Sequence, residues 1–543
     1  MPLSAFSFRS SFLWKLGLTA LLVGIGDWLF YRQGLYGAHI GFYAVALVIG
    51  LVAGNHAVRQ DRRAWACVLA AAVFAFALVY DTSLLAWCLL WISATIAALI
   101  PATARFGDGW QWFQRVLWQS VRGPFAPLFD LKRASKARRR TGGYRFGLRA
   151  MLPIIALPLA GSIVILALFS AANPVLKAFL YSAAIPDLAM LSPLRIGLWI
   201  GLFITVWGLL RARLARRILP TFDGRGDLSL PGVSVASVTL SLVVFNLLFA
   251  LQNVLDIAYF SGLAELPDMT MAQYAHRGAY PLIATALLAA AFVLVTLRPG
   301  STTAAVPSIR WLVVLWIFQN LLLVAFSIER TLSYVQSYSL TELRIAALVW
   351  MLLVGFGLVA ICWRMLRDRS SGWLINVNMA AAALVLTLAS FVDLGAVAAS
   401  WNVRHAREAG GRGVELDLCY LDGLGDSALL PLIALEGRTD LKPAFRERVQ
   451  VVRERRFAEL DQHLHDGGWT MLAESRFERA RTMLAGIPHK SLEPAVRDCD
   501  GSVIVVPEIE VVPSPPAPSP AGVTAPPTSV PAPAAALTEE ARK

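Results

Sequence analysis

The chain has 543 residues, 57% of them hydrophobic and only 16% charged, with a mean hydropathy of +0.59. Soluble domains carry roughly 25% charged residues, so the composition excludes an ordinary soluble globular protein. The net charge of +13 gathers before residue 398, where Lys and Arg exceed Asp and Glu by 17; basic loops against anionic lipid account for that excess without a nucleic acid partner.

Eleven apolar stretches are long enough to cross a hydrocarbon core of ~30 Å. They fall at about 12–31, 37–54, 64–80, 82–100, 151–170, 195–212, 234–258, 279–297, 310–328, 344–363 and 374–397. The fold class expected is therefore all-α, a polytopic transmembrane bundle. The first stretch follows Arg9 and lacks an A-x-A cleavage site, so it reads as an uncleaved span. Five segments result: a four-span start (1–100), a basic amphipathic loop (101–150), a seven-span core (151–397), a small helical domain (398–506) and a Pro/Ala-rich tail (507–543). The tail is expected to be disordered or polyproline-like.

Orientation follows from the basic residues of the short loops. With the N-terminus in the cytoplasm, inside segments hold 25 Lys and Arg and outside loops hold 6. An odd number of spans then places 398–506 outside. Cys419 and Cys499 lie there, and an oxidising compartment allows them to pair or leaves them as two thiols. Cys67, Cys88 and Cys362 sit in apolar spans as small packing residues.

In the 101–150 loop, Trp110, Phe113, Leu117 and Val121 share one helical face, and LKRASKARRR follows at 131–140. An aromatic face with a basic run predicts an interfacial helix anchored to anionic lipid headgroups at 131–140; a docking site for a protein is the alternative.

The span at 234–258 carries Asn246, Gln252, Asn253 and Asp256 within an arc of about 120°, opposite Leu247, Leu248, Leu251 and Leu255. Such a helix has one lipid side and one side that needs polar partners in a bundle. The loop after it has Thr270 and Gln273 spaced as a capping box and presents Tyr274, His276 and Arg277 near Asp256. Arg277 is expected to pair with Asp256, either as a structural clamp or as part of a working site. Two later spans repeat the pattern: Gln319, Asn320, Ser327 and Arg330 on one, Asn376, Thr387, Ser390 and Asp393 on the other. Ser339 and Glu342 are spaced as a capping box between them. After 439, Leu441, Phe445, Val449, Val452, Phe457, Leu460 and Leu464 predict the inner side of a helix, and 469–485 a second one.

His405, His463, His465 and His489 have no metal-ligand spacing, and no Walker, dinucleotide-binding or G-x-S-x-G motif occurs, so no metal or cofactor is expected. The run from Phe245 to Leu297, followed by WLVVLWIFQN and YSLTELRIAALVWMLLV, resembles a bacterial membrane family, the domain of unknown function numbered 4173, related to the one numbered 4153. Where that family often reads Y-A-R-R-G, this chain has Tyr274-Ala275-His276-Arg277-Gly278. The resemblance implies the bacterial cytoplasmic membrane and no established activity. Two function classes lead: a transporter or channel for a small solute or ion through a polar interior, and an interaction or sensory scaffold acting through 398–506 on a protein partner. A membrane enzyme comes third, because no nucleophile–base pair can be named.

Overall fold

The computed structural model describes residues 3–140, 192–220, 234–263, 301–488 and 495–504, less a few positions within them, and scattered residues between. Among these the structure is helical, with one isolated bridge between Arg497 and Val503. The first half holds α1 (Leu3–Arg32), α2 (His39–Gly54), α3 (Arg62–Tyr80), α4 (Leu84–Leu99), α5 (Gly109–Arg122), α6 (Ala126–Arg140) and α7 (Pro193–Leu210). Then come α8 (Val235–Phe260), α9 (Pro307–Tyr338), α10 (Glu342–Leu366) and α11 (Ser371–Ala389). Eight of these helices are long and apolar enough to span a membrane: α1, α3, α4 and α7 to α11. The sixteen-residue α2 is apolar and shorter. The chain is a multi-pass membrane protein. The spans expected at 151–170 and 279–297 lie largely outside the described residues, as do the 261–278 loop beyond Leu263 and the tail.

Hydroxyl and carboxylate side chains start many of the helices. Asp61, Ser83, Ser192, Ser234 and Ser370 each accept a bond from a first-turn N–H of the helix that follows. These bonds satisfy donors that hydrocarbon would leave unpaired. Ser83 also settles the join at 81–82, since α3 ends at Tyr80 and α4 begins afresh at Leu84. Two expectations fail here. The N-cap of α10 is Thr341, not Ser339, which has a φ of 67°. The stretch 374–397 is also not one helix, because α11 stops at Ala389 and α12 (Leu394–His405) starts from Asp393, whose carboxylate accepts from the Ala396 N–H at 2.9 Å. A side chain able to cap competes with helix continuation, and apolar periodicity does not register that.

The helices form two apolar cores. One joins α1 to α4 with α7, around Tyr43, Leu47, Leu51, Leu78, Leu90 and Leu99. The other joins α8 to α11 around Leu242, Val313, Trp316 and Leu358. In the first, Gly41 lets α2 approach α3: a Cβ there would come within 2.5 Å of the Val79 backbone nitrogen. Gly41→Val should cost about 1–3 kcal/mol by overpacking. A melting curve of the detergent-solubilised variant that overlays wild type would refute this close contact.

Chain direction sorts the loops to two ends. At one end Lys15 binds Asn55 Oδ1 and the Leu210 carbonyl, Arg63 donates to the Thr103 carbonyl, and Arg211 and Arg213 hold Asp130. At the other end lie Gly37 and Ala38, 81–83, 339–341 and 390–393, covered by α12, α13 (Leu418–Gly423), α14 (Leu429–Glu436), α15 (Pro443–His465) and α16 (Met471–Leu484). Val449, Val452, Leu441 and Leu460 are buried in this unit, with Phe445, Phe457 and Leu464 packed against them. A disulfide joins Cys419 to Cys499 across 80 residues.

Candidate functional site

Polar side chains on α8 and α9 meet in a seam with a fixed register. The Asn246 amide donates to the Leu312 carbonyl at 3.1 Å, and the Asn253 amide to the Gln319 carbonyl at 3.3 Å, both across 66 residues. Phe260 stacks on Phe326 one heptad further along. A constant offset at seven-residue steps is the signature of two parallel helices with a repeating contact stripe. Gln319 also donates to Asn246 Oδ1 at 3.1 Å, tying side chain to side chain. Asn246, Asn253, Gln319 and Asn320 are all buried. Asn246, Asn253 and Asn320 also turn their amides onto the carbonyl four residues back.

Toward the end covered by the helical unit, Asp256 accepts from Arg330 and, at 3.2 Å, from Gln252. Both charged side chains are more than nine-tenths buried. The expected partner, Arg277, lies outside the described residues, as do Tyr274 and His276. The ion pair found is with Arg330, which stands on the polar arc of the neighbouring helix. An arginine 74 residues away is invisible to reasoning from the adjacent loop.

The third polar stripe does not join this seam. Asn376 accepts from the Gly109 N–H at 2.7 Å, at the basic end of the bundle, and so anchors α5. Asp393 caps α12 at the opposite end, where it accepts from Ser427 at 2.9 Å and pairs with Arg476 of α16. Both were expected inside the bundle with Asn246 and Gln319; both instead fasten peripheral elements to it. The break at Ser390 to Asp393 removes the continuous helical face on which that expectation rested.

Two pairings escaped the sequence reading, although Asp27 and Asp393 stand out in it as polar residues of apolar stretches. Arg195 at the start of α7 grips Asp27 of α1 in a bidentate pair at 2.7 and 2.5 Å, with Trp199 donating to the same carboxylate and the Tyr31 ring beneath the guanidinium. Arg476 lies between Asp393 and Asp426, with Asp81 nearby. Burial pushes the Asp81 and Asp426 carboxyls above their ordinary range, and burial lowers Arg476. Neither pairing has a sequence signal, since each joins residues from distant segments.

Beside the seam opens a cavity of about 410 Å³ lined by Phe245, Phe249, Thr285, Leu288, Phe292 and Trp316. Its wall is aromatic and aliphatic; Asn246, Asn253, Gln319 and Asp256 do not line it. Of the seam's polar atoms, Asn253 Oδ1, Asp256 Oδ2 and Gln319 Oε1 are buried without a hydrogen-bond donor among the described residues. The arrangement can therefore hold two helices in register, and it offers three acceptors to a cation or donor that enters.

No curated protein and no solved structure matches the chain. A family model described as a domain of unknown function (DUF4153) matches residues 25–435, from the last two turns of α1 through α2 to α13 and α14 up to Leu435. It is the second of the two related families that the sequence resembles, and the chain belongs to it.

Proposed function

We propose that this protein is a membrane-embedded scaffold that presents the 394–504 helical unit on the extracytoplasmic face of a bacterial inner membrane, with its N-terminus in the cytoplasm. The observation that carries this reading is how the polar residues are spent. Those of α8 and α9 bond one another and the facing backbone at one register, and the adjoining cavity is apolar. Buried amides between membrane helices serve association in this way. The helical unit, by contrast, is fixed to several loops. Ala38 donates to the Trp469 carbonyl at 2.7 Å, Asn402 exchanges two bonds with Leu340, and Glu342 N–H donates to the Tyr420 hydroxyl. A rigid platform supporting a disulfide-closed domain suits recognition of a protein or peptide partner outside the cell membrane.

A second reading, passage of a small cation, is favoured by the three buried oxygens without donors among the described residues. One experiment separates the two. In a strain lacking the chain, a version ending at Asp393 and an Asp256→Asn/Arg330→Gln version are expressed at equal level. The scaffold reading expects the truncated chain to fail in restoring the deletion phenotype and the seam variant to restore it. The reverse result would replace it with the transport reading.

A further inference from the structure

The strap of α5 and α6 exposes an apolar surface on a protein whose spans already fix its depth in the bilayer. Its N-terminus packs on the side of α11: Gly109 bonds Asn376, and a Cβ on Gly109 would strike the Met379 sulfur. Its C-terminus packs on α7: Gln119 donates to the Gly208 carbonyl at 2.9 Å, and Gly208 and Gly123 are in contact. Asn376 and Met379 lie roughly 7–12 Å inside the end of α11, at 1.5 Å per residue, and Gly208 about 3 Å inside α7. The strap therefore lies along the flanks of the bundle, not beneath its tips. That is the depth of an interfacial helix, about 5–10 Å into the headgroup–acyl boundary.

The surface it turns away from the bundle is amphipathic. Phe113, Leu117 and Val121, one turn apart, are exposed, and Trp112 and Gln119 are buried on the opposite side. Phe125, Leu128 and Leu131 extend the exposed stripe onto α6. Beside it stand two guanidinium groups that make no ion pair among the described residues, although Asp108 attracts Arg115 and Asp130 attracts Arg122 from a distance. Arg115 lies 4.9 Å over the Trp112 ring, and its Nε and Nη1 are buried with no hydrogen-bond acceptor among the described residues. Arg122 lies 4.8 Å over Trp118 and 5.7 Å from Phe129. The nearest acid on α6, Asp130, is taken by Arg211 and Arg213 at 3.0 and 2.8 Å, with Arg133 at 4.0 Å. Positive charge is in excess, and the two desolvated N–H donors of Arg115 meet no acceptor among the described residues. Burial depresses both arginines, and the like charge of Arg133 adds to the effect on Arg122, against the smaller pull of Asp108 on Arg115 and of Asp130 on Arg122. An anion relieves all three conditions.

We propose that α5 and α6 form a binding surface for anionic phospholipid, with Phe113, Leu117 and Val121 among the acyl chains and Arg115 and Arg122 on headgroup phosphates. Lipid is favoured over a soluble protein because the apolar stripe lies at the depth of acyl chains and the arginines sit at its edge, where phosphates would stand. The recognition moves upstream of the 131–140 basic run, whose Lys132 and Arg133 add long-range attraction. Planar guanidinium groups stacked on aromatic rings suit a phosphate oxygen pair better than an ammonium does.

The test is lipid binding to the full delipidated chain in detergent, followed by native mass spectrometry. Phosphatidylglycerol should bind wild type well above phosphatidylcholine, and Arg115→Gln/Arg122→Gln should weaken phosphatidylglycerol about thirtyfold, from about 1 kcal/mol per basic residue. Unchanged phosphatidylglycerol binding in the double variant overturns the proposal. So does equal binding of the two lipids to wild type, a measurement that needs no variant to fold. Displacement of phosphatidylglycerol by excess inorganic phosphate would assign the arginines to a free anion and also overturn it. A Leu117→Gln/Val121→Gln variant should lose affinity for long-chain but not short-chain phosphatidylglycerol; equal loss for both refutes the acyl contact.

Discussion

Asp256→Ala should lower the stability of the detergent-solubilised protein by about 3–5 kcal/mol, and Arg330→Ala by a similar amount, because each leaves its partner's charge buried and uncompensated. Asp256 and Arg330 are both nearly enclosed between α8 and α9, so neither remaining group can reach bulk water without parting the helices. The double change Asp256→Leu/Arg330→Met should recover most of that loss, since replacing a buried pair by apolar groups of similar size is often neutral or stabilising. The two singles should therefore be far from additive, with a coupling energy at the upper end of the usual ~0.5–3 kcal/mol. Amide truncations elsewhere in the seam are weaker by comparison. Asn253→Ala should cost only about 0.6 kcal/mol, the average for hydrogen bonds between membrane helices. Thermal unfolding of wild type, Asp256→Leu, Arg330→Met and Asp256→Leu/Arg330→Met gives the cycle. Additive singles would mean that Asp256 and Arg330 act independently and that the seam is held by its amides.

That ion pair also shows where sequence reasoning stops. Asn246, Asn253 and Asp256 were legible as one polar side of a helix, because 100° per residue is a local property of the chain. Gln319 and Arg330 were legible on theirs for the same reason. Which stripe faces which depends on the direction and register of two helices, and that is fixed only by packing. Arg277, outside the described residues, is the nearest basic residue along the chain, whereas the pairing the structure describes is with Arg330, 74 residues away. Asp393 misled for a different reason: helical periodicity ran on through Ser390 and Val392, and a carboxylate able to cap the next helix ended it. The amphipathic pattern of 110–121 gave α5 correctly, since burial of Trp112 and Gln119 against exposure of Phe113 and Leu117 follows the same 3.6-residue period. Its placement against Gly208 and Asn376 carried no local signal. The C-terminal helices were readable from Val449, Val452 and Leu460, but their docking through Trp469 and Arg476 was not.

Removing Arg476 should free the helical unit from the bundle. This side chain is buried, pairs with Asp393 and, at 2.8 Å, with Asp426, and is attracted by Asp81 from the α3–α4 turn. Arg476→Ala leaves three carboxylates facing one another without a cation, at a cost of about 3–5 kcal/mol by the logic of a broken buried pair. The expected result is rapid proteolysis within 394–488 under conditions where wild type resists, with the spans intact; equal resistance would show that Trp469 and Asn402 hold the unit alone. The same contact sets a pH dependence. Burial is the main reason Asp81 is raised above its ordinary value, against the opposing pull of Arg476. A carboxyl raised in the docked state binds more protons there than when released, so its favourable contribution is present below the ordinary Asp value of ~3.9 and is lost as pH rises through the raised one. Docking should therefore tighten as pH falls through the raised values of Asp81 and Asp426, and Asp81→Asn should reduce that slope, leaving the share of Asp426, while holding the unit in place at neutral pH. Melting curves of wild type and Asp81→Asn between acid and neutral pH measure it, and parallel slopes in the two chains would assign the dependence to another group.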